Sequence, residues 1–209
     1  MELLFDMGGV LIDLDMPGCV ERFRALGFDI APYLDTFAQR GFLSDFESGK
    51  ISTDEFFDTI DRLGGRRFDR NELRTAWRAM LKAMPRERIE LLVRASRHYG
   101  IHLLSNTNPL GWNSALELFD ALGYRPDELF GRIFLSFELG IEKPAPAIFR
   151  KVVADLGCAP ADILFFDDSA TNCAAARGQG LRAVQAGLDG AWTNCFDADG
   201  RLVEPIPEA

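Results

Sequence analysis

The chain opens on Leu3-Leu4-Phe5-Asp6-Met7-Gly8-Gly9-Val10-Leu11, an apolar run that delivers one carboxylate into a pair of glycines. A carboxylate at the end of a buried strand is costly unless it meets a metal ion, hydrogen-bond donors or a reacting atom. Such a group can attack phosphorus and split one difficult hydrolysis into two displacements through an aspartyl-phosphate, which makes Asp6 the candidate nucleophile. Three later segments hold the groups this chemistry needs: Leu103-Leu104-Ser105-Asn106-Thr107-Asn108, Glu142-Lys143-Pro144-Ala145-Pro146, and Phe165-Phe166-Asp167-Asp168-Ser169-Ala170-Thr171-Asn172. Lys143 offers a compact positive charge for the nucleophile and the transferred group, and Pro144 and Pro146 restrict the backbone that aims it. Ser105 and Asn106 are expected to bind phosphate oxygens through a hydroxyl and nearby main-chain amides. A carboxylate attacking a phosphate monoester faces charge repulsion, which calls for a divalent cation, and magnesium suits an all-oxygen site.

The elements that must position these residues are legible from pattern. Strands are predicted at 2–6, 101–104, 132–136, 163–166 and 181–185, separated by helical stretches, which argues for a mostly parallel α/β sheet. Sites in open parallel sheets form outside the carboxyl ends of the strands, so the strand ends bearing Asp6, Ser105 and Asp168 should converge. Helices are predicted at 110–122 and 145–156, ending at Gly123 and Gly157, and from Ala170 to Arg177. Residues 15–85 show helical periodicity in pieces, as in Val20, Phe23 and Leu26 or Phe56, Phe57, Ile60 and Leu63, with a capped helix start at Thr53. That is too much chain for a loop and predicts a small helical unit of its own. Residues 1–14 and 86–209 then form the core and 15–85 the inserted unit, with hinges near Asp13 to Pro17 and Ala83 to Arg86. From Gly190 onward the sequence is least patterned.

Together the four motifs resemble the haloacid dehalogenase (HAD) superfamily. The wording FDMGGVLIDLD, LSNTN, KPAPAIF and FFDDSATN is similar to the branch containing the N-terminal phosphatase domain of soluble epoxide hydrolase and bacterial α-glucose-1-phosphate phosphatases. The resemblance runs from Asp6 through the helix after Asn172. It implies a Rossmann-like core with an all-helical cap that closes over the active site and carries much of the specificity. It also implies a magnesium-dependent phosphatase acting on a small phosphate ester, a sugar phosphate being the best expectation. The metal ligands it implies are Asp6, the main-chain carbonyl of Gly8, and Asp168, whose Asp-Ser-x-x-Asn lines up with the family's Asp-Ser-x-x-Asp. Adjacent side chains on an extended segment point to opposite sides, so Asp167 is assigned a supporting place, pairing with Lys143. Asn172 would orient a metal-bound water or cap the following helix.

One position departs from the family pattern. Most phosphatases of the superfamily carry a second Asp two residues after the nucleophile as general acid and base, and this chain has Gly8 there. General acid-base catalysis contributes about 10²–10⁴-fold, so its absence favours leaving groups that need little protonation, or a substitute donor. Asp13 and Asp15 are near enough in sequence to be considered, with hinge or surface positions as the alternative. A dehalogenase, which needs no proton donor, is the rival enzyme reading, and a binding module with a catalytically weak site is the non-enzyme one. His98 and His102 read as structural or exposed, Trp112 as a residue of the pocket entrance or, as is commoner for aromatics there, of core or interface, and Phe42, Phe46 and Lys50 as residues that could face the substrate.

Composition bounds the rest. At 209 residues the chain makes one or two domains, with 47% hydrophobic and 26% charged residues, as in ordinary soluble globules. A formal charge of −9 argues against nucleic acid as partner. No apolar run is long enough for a membrane span and no signal-like N-terminus is present, so a cytoplasmic monomer or homodimer is expected. Cys19, Cys158, Cys173 and Cys195 are scattered without metal-like spacing and read as reduced thiols.

Overall fold

Short apolar runs build the centre of the fold, a five-stranded parallel sheet in the order β5-β4-β1-β6-β7. The computed structural model describes residues 1–35, 39–187 and 189–203. The sheet strands are β1 (Glu2–Phe5), β4 (Gly100–Ser105), β5 (Arg132–Leu135), β6 (Ile163–Asp167) and β7 (Arg182–Gln185). A separate antiparallel ribbon joins β2 (Asp13–Leu14) to β3 (Leu81–Ala83). Leu3 to Phe5 and all of β6 are buried, the near-continuous apolar character of a sheet covered on both faces.

Because side chains alternate along a strand, each central strand divides its residues between two clusters. Leu3, Phe5, Leu103, Leu164 and Phe166 pack on one face with Ile89 and Leu92 of α5 (Arg86–Ala95) and Phe119 of α6 (Pro109–Leu122). Leu4, Leu104 and Phe165 pack on the other with Ile148, Phe149 and Val152 of α9 (Pro146–Leu156) and Ala176 of α10 (Ala170–Gly178). The stretch after Gly190 completes the first face. Trp192 is fully buried, with its ring 5.2 Å from Phe5 and 5.9 Å from Phe166, and its Nε1 donates to the Val10 carbonyl at 3.1 Å. Trp192, Cys195 and Phe196 anchor it at irregular spacing and leave no strand or helix period, which is why this segment looks unstructured in the sequence.

Between β2 and β3 run α1 (Met16–Ala25), α2 (Phe42–Glu47), α3 (Thr53–Gly64) and α4 (Arg70–Arg78), around a third cluster that includes Phe23, Phe46, Phe56, Phe57 and Trp77. Phe46 stacks on Phe56 with ring centroids 4.3 Å apart. The predicted start of α3 is a capping box: Ser52 Oγ accepts from Glu55 N, and the Glu55 carboxylate accepts from Ser52 N. Residues 81–83, predicted as part of a helical insert, are instead a strand. At two and three residues, β2 and β3 are too short for a period of two to register against helical spacing.

The helical segment meets the core where α2 ends. Gly49 has φ +67°, and a Cβ there would collide with the main-chain oxygen of Phe137, which follows α7 (Pro126–Leu129) in the short helix α8 (Ser136–Leu139). Glycine is therefore required twice over, by backbone conformation and by the approach of a second backbone. Among the described residues no helix is long and apolar enough to cross a membrane, and all four cysteines are free.

Candidate active site

Asp6 lies one residue beyond β1, its main-chain N–H donating to Phe166 O at 2.9 Å. Since β1 sits between β4 and β6, Asp6, Ser105 and Asp167 leave three adjacent strands at the same sheet edge. Asp6 Oδ1 accepts from Met7 N at 2.7 Å and lies 2.9 Å from Lys143 Nζ. Asp6 Oδ2 takes no hydrogen bond from any described residue. Lys143 Nζ is also 2.7 Å from Asp167 Oδ2 and donates to the Leu104 carbonyl at 3.1 Å. The lysine is only 2% exposed. Burial opposes its charge, but Asp167 and then Asp6 outweigh that cost and hold the ammonium above the usual lysine range.

Each of these groups is itself held. Asp167 Oδ1 accepts from Ser169 N and Asn172 Nδ2, both at 2.9 Å. Asn172 thus fixes Asp167, while the cap of α10 is Ser169, whose hydroxyl accepts from Asn172 N at 3.3 Å. Asn106 Nδ2 donates to Lys143 O at 2.9 Å and Asn106 Oδ1 accepts from Lys143 N at 2.8 Å. Its side chain is committed to clamping the lysine backbone, which leaves the phosphate contact expected of this loop to the Ser105 hydroxyl and main-chain amides. Ser105 is buried and its hydroxyl lies at 3.4 Å from the Asn106 carbonyl, a weak contact for that donor.

The remaining charge is unbalanced. Asp6, Asp167 and Asp168 each offer an oxygen within 4.8 Å of the others, with Lys143 as the cation among them. Burial pushes Asp6 well above the usual carboxylate range, with Asp167 and Asp168 adding to it against the pull of Lys143. Burial and the Asp167 charge push Asp168 up to about 6. Asp167 is engaged by Lys143, Ser169 and Asn172, which leaves Asp6 and Asp168 as the pair with carboxylate oxygen to spare. An all-oxygen set with excess negative charge fits a hard divalent cation. Gly9 makes room for it: φ is +75°, and a Cβ there would collide with Asp168 Oδ2.

A cavity opens over this edge, lined by Asp6, Gly8, Ser105, Lys143, Asp168 and Asn172 from the core and by Gln39, Glu47, Trp77 and Met80 from the helical segment. Several sequence candidates lie elsewhere. Phe46 is buried in the helical cluster with Phe42 against it, and Lys50 pairs with Asp45 at 3.3 Å. Trp112 packs against the first face of the sheet. Asp13 pairs with Arg88 at 2.8 Å and Asp15 caps α1 through Gly18 N at 2.9 Å, so both suggested substitutes for the missing acid are otherwise engaged. His102 Nε2 contacts Glu2 at 2.7 Å, at the sheet edge opposite the cavity.

Glu47 is the residue that sequence reading missed. It is 8% exposed and lines the cavity, and no described residue hydrogen-bonds its carboxyl. Burial, then the nearby Glu142 and Asp6, push that carboxyl up to about 8. Its backbone is tied down: the Glu47 carbonyl accepts from Ser136 Oγ at 2.6 Å, and the same Oγ accepts from Thr107 N at 2.9 Å. A lone Glu at the last position of a short helix carries no sequence signal; only the closeness of Phe42–Glu47 to α8 discloses it.

The geometry meets a family record that covers it. The haloacid dehalogenase-like hydrolase family matches residues 3–180. The chain belongs to that family. This hydrolase is 32% identical to D-ribitol-5-phosphate phosphatase of Bacteroides thetaiotaomicron over 88% of its own length and 90% of the relative's. It is similar, at TM-score 0.85 and 31% identity, to a wild-type HAD family enzyme of the same organism crystallised with magnesium and inorganic phosphate, covering 94% of this chain and 98% of that one. A predicted HAD-like hydrolase from Porphyromonas gingivalis matches at TM-score 0.81 and 33% identity, over 87% and 88% of the two chains. The L-2-haloacid dehalogenase of Xanthobacter autotrophicus shares the fold alone, at TM-score 0.55 and 15% identity.

Proposed function

We propose that this hydrolase is a magnesium-dependent phosphatase that cleaves a small sugar or polyol phosphate through an aspartyl-phosphate on Asp6. The observation that carries the reading is the placement of Lys143 Nζ, 2.9 Å from Asp6 Oδ1 and 2.7 Å from Asp167 Oδ2. A nucleophilic carboxylate and a fixed cation are thereby set side by side at the mouth of a cavity. Asp6 and Asp168, with the main-chain carbonyl of Gly8, would hold magnesium, which when bound offsets the repulsion between Asp6 and the phosphoryl oxygens. The Asp6 carboxylate attacks phosphorus, Lys143 and the Ser105 hydroxyl stabilise the equatorial oxygens, and Asp167 keeps the ammonium in place. The relative that hydrolyses D-ribitol 5-phosphate supports a polyol or sugar as the esterified group. The segment 16–80 acts as the cap, contributing Gln39, Glu47, Trp77 and Met80 to the substrate side.

Halide displacement is the less favoured reading, since a carboxylate attacking carbon gains nothing from the negative charge gathered at Asp167 and Asp168. The test is phosphate release from ribitol 5-phosphate, sugar phosphates and p-nitrophenyl phosphate, with magnesium and with chelator. Magnesium-dependent release that falls by on the order of 10³-fold or more in Asp6→Asn, with an unchanged circular dichroism spectrum, is the expected result. Release surviving in Asp6→Asn, or halide release from 2-haloacids in its place, would overturn the proposal.

A further inference from the structure

We infer that Glu47, delivered from the helical segment, donates the proton to the leaving group that the residue at Gly8 cannot supply. This rests on the phosphatase reading above and adds the group that reading lacks. Two observations on opposite walls of one cavity carry it.

The first is that the usual place for the donor carries none. Gly8 has no side chain, and a Cβ built there would lie 3.2 Å from Leu14 Cδ1, tight enough that Leu14 would have to give by a few tenths of an ångström. Asp13 and Asp15 are engaged with Arg88 and with the α1 N-terminus. The second is that Glu47 is a carboxyl more than nine-tenths buried, opening into the cavity with Asp6 and Lys143, and without a hydrogen-bond donor of its own. Its oxygens are not among the sealed-off polar atoms of the described residues, so the carboxyl is reachable from the cavity, where a substrate oxygen can meet it. The Ser136 clasp on its carbonyl fixes the backbone, so the side chain is presented from a held position.

The charges around Glu47 favour a neutral acid before turnover. Glu142 and Asp6 disfavour its ionisation and Lys143 favours it, with burial the largest influence, and the group sits at about 8. A general acid needs a proton near neutral pH and a pKa not far above it. As Asp6 attacks, the bond from phosphorus to the ester oxygen breaks, its electron pair goes to that oxygen, and the Glu47 proton joins it to release the alcohol. In the second half-reaction a water attacks the aspartyl-phosphate, its proton passes to the Glu47 carboxylate, and the bond between phosphorus and Asp6 breaks to leave inorganic phosphate. Both residues return to their starting states.

The deciding experiment compares wild type and Glu47→Gln on substituted phenyl phosphates that differ in leaving-group acidity but little in shape, with ethyl phosphate as the most demanding member. Glutamine keeps the volume and neutrality of the buried acid but has no acidic proton, and circular dichroism and urea midpoints check the fold. The expected result is that kcat/KM falls less than about tenfold for p-nitrophenyl phosphate and about 10²–10⁴-fold for ethyl phosphate, a steeper dependence on leaving-group pKa. Glu47→Asp, which keeps the acid, should recover part of the loss on ethyl phosphate. Equal losses across the series, or none, would overturn the inference while leaving the phosphatase reading standing. A wild-type enzyme that releases phosphate from none of the series would overturn both.

Discussion

Lys143 is the residue on which the site's electrostatics turn. Its ammonium touches two buried carboxylates, and neither has another cationic side chain in contact among the described residues. Lys143→Met would leave Asp6 and Asp167 facing each other uncompensated, a loss of about 3–5 kcal/mol in urea unfolding near neutral pH. The loss should shrink in mild acid, where protonation relieves the repulsion. A stability equal to wild type would mean that the lysine serves chemistry alone. Gly8 and Leu14 form a second residue-scale pair. Gly8→Asp crowds Leu14 Cδ1, so an aspartate there is expected to cost some stability in urea unfolding, and Leu14→Ala should relieve part of that cost. Nothing in the local pattern around position 14 reveals that conflict, because β2 pairs with a partner sixty-odd residues away.

At the scale of elements, the join between α2 and α8 sets the position of the helical segment over the core. Gly49→Ala would strain a backbone at φ +67° and drive its methyl into Phe137 O, and more than about 1 kcal/mol of stability should be lost. Because α2 also carries Glu47, KM and kcat should both worsen, unlike a substitution on the exposed face of α3 such as Asp54→Ala. An unchanged KM would detach the helical segment from substrate binding. Elements with a repeated pattern were legible in sequence: five strands as apolar runs, α6 and α9 as periodic stretches closed by Gly123 and Gly157. The β2–β3 ribbon and the Trp192 anchor were not, the first for shortness and the second for want of a period. Asp6 and Asp168 were legible because strand ends advertise them, and Lys143 through its Lys-Pro-x-Pro setting ahead of α9, whereas the clamp of Asn106 on the Lys143 backbone depends on two loops thirty-seven residues apart.

For the whole molecule, the crowded carboxyl groups couple stability to pH and to metal. Burial raises Asp168 to about 6 and Glu47 to about 8, so the folded, metal-free protein holds protons that an unfolded chain has released. Stability from these groups is complete below the unfolded values near 4 and is lost as pH rises through about 6 and then about 8. Chelated protein should therefore unfold at lower urea near pH 8.5 than near pH 5.5. Magnesium should raise the midpoint through a stability gain of about 2.7 kcal/mol at a hundredfold excess over its dissociation constant, and release protons on binding. A midpoint indifferent to pH and magnesium would mean that the carboxylates are not where the fold is strained. One hydroxyl bears on how such a molecule opens. Ser136 Oγ has an acceptor on each side of the divide, Glu47 O at 2.6 Å and Thr107 O at 3.0 Å. Were the helical segment to part from the core, the Ser136 proton could swing from the Glu47 carbonyl to that of Thr107. That join is reversible at its shortest bond, whereas Ser44 Oγ, on the same helix as Glu47, would give up its acceptor Glu142.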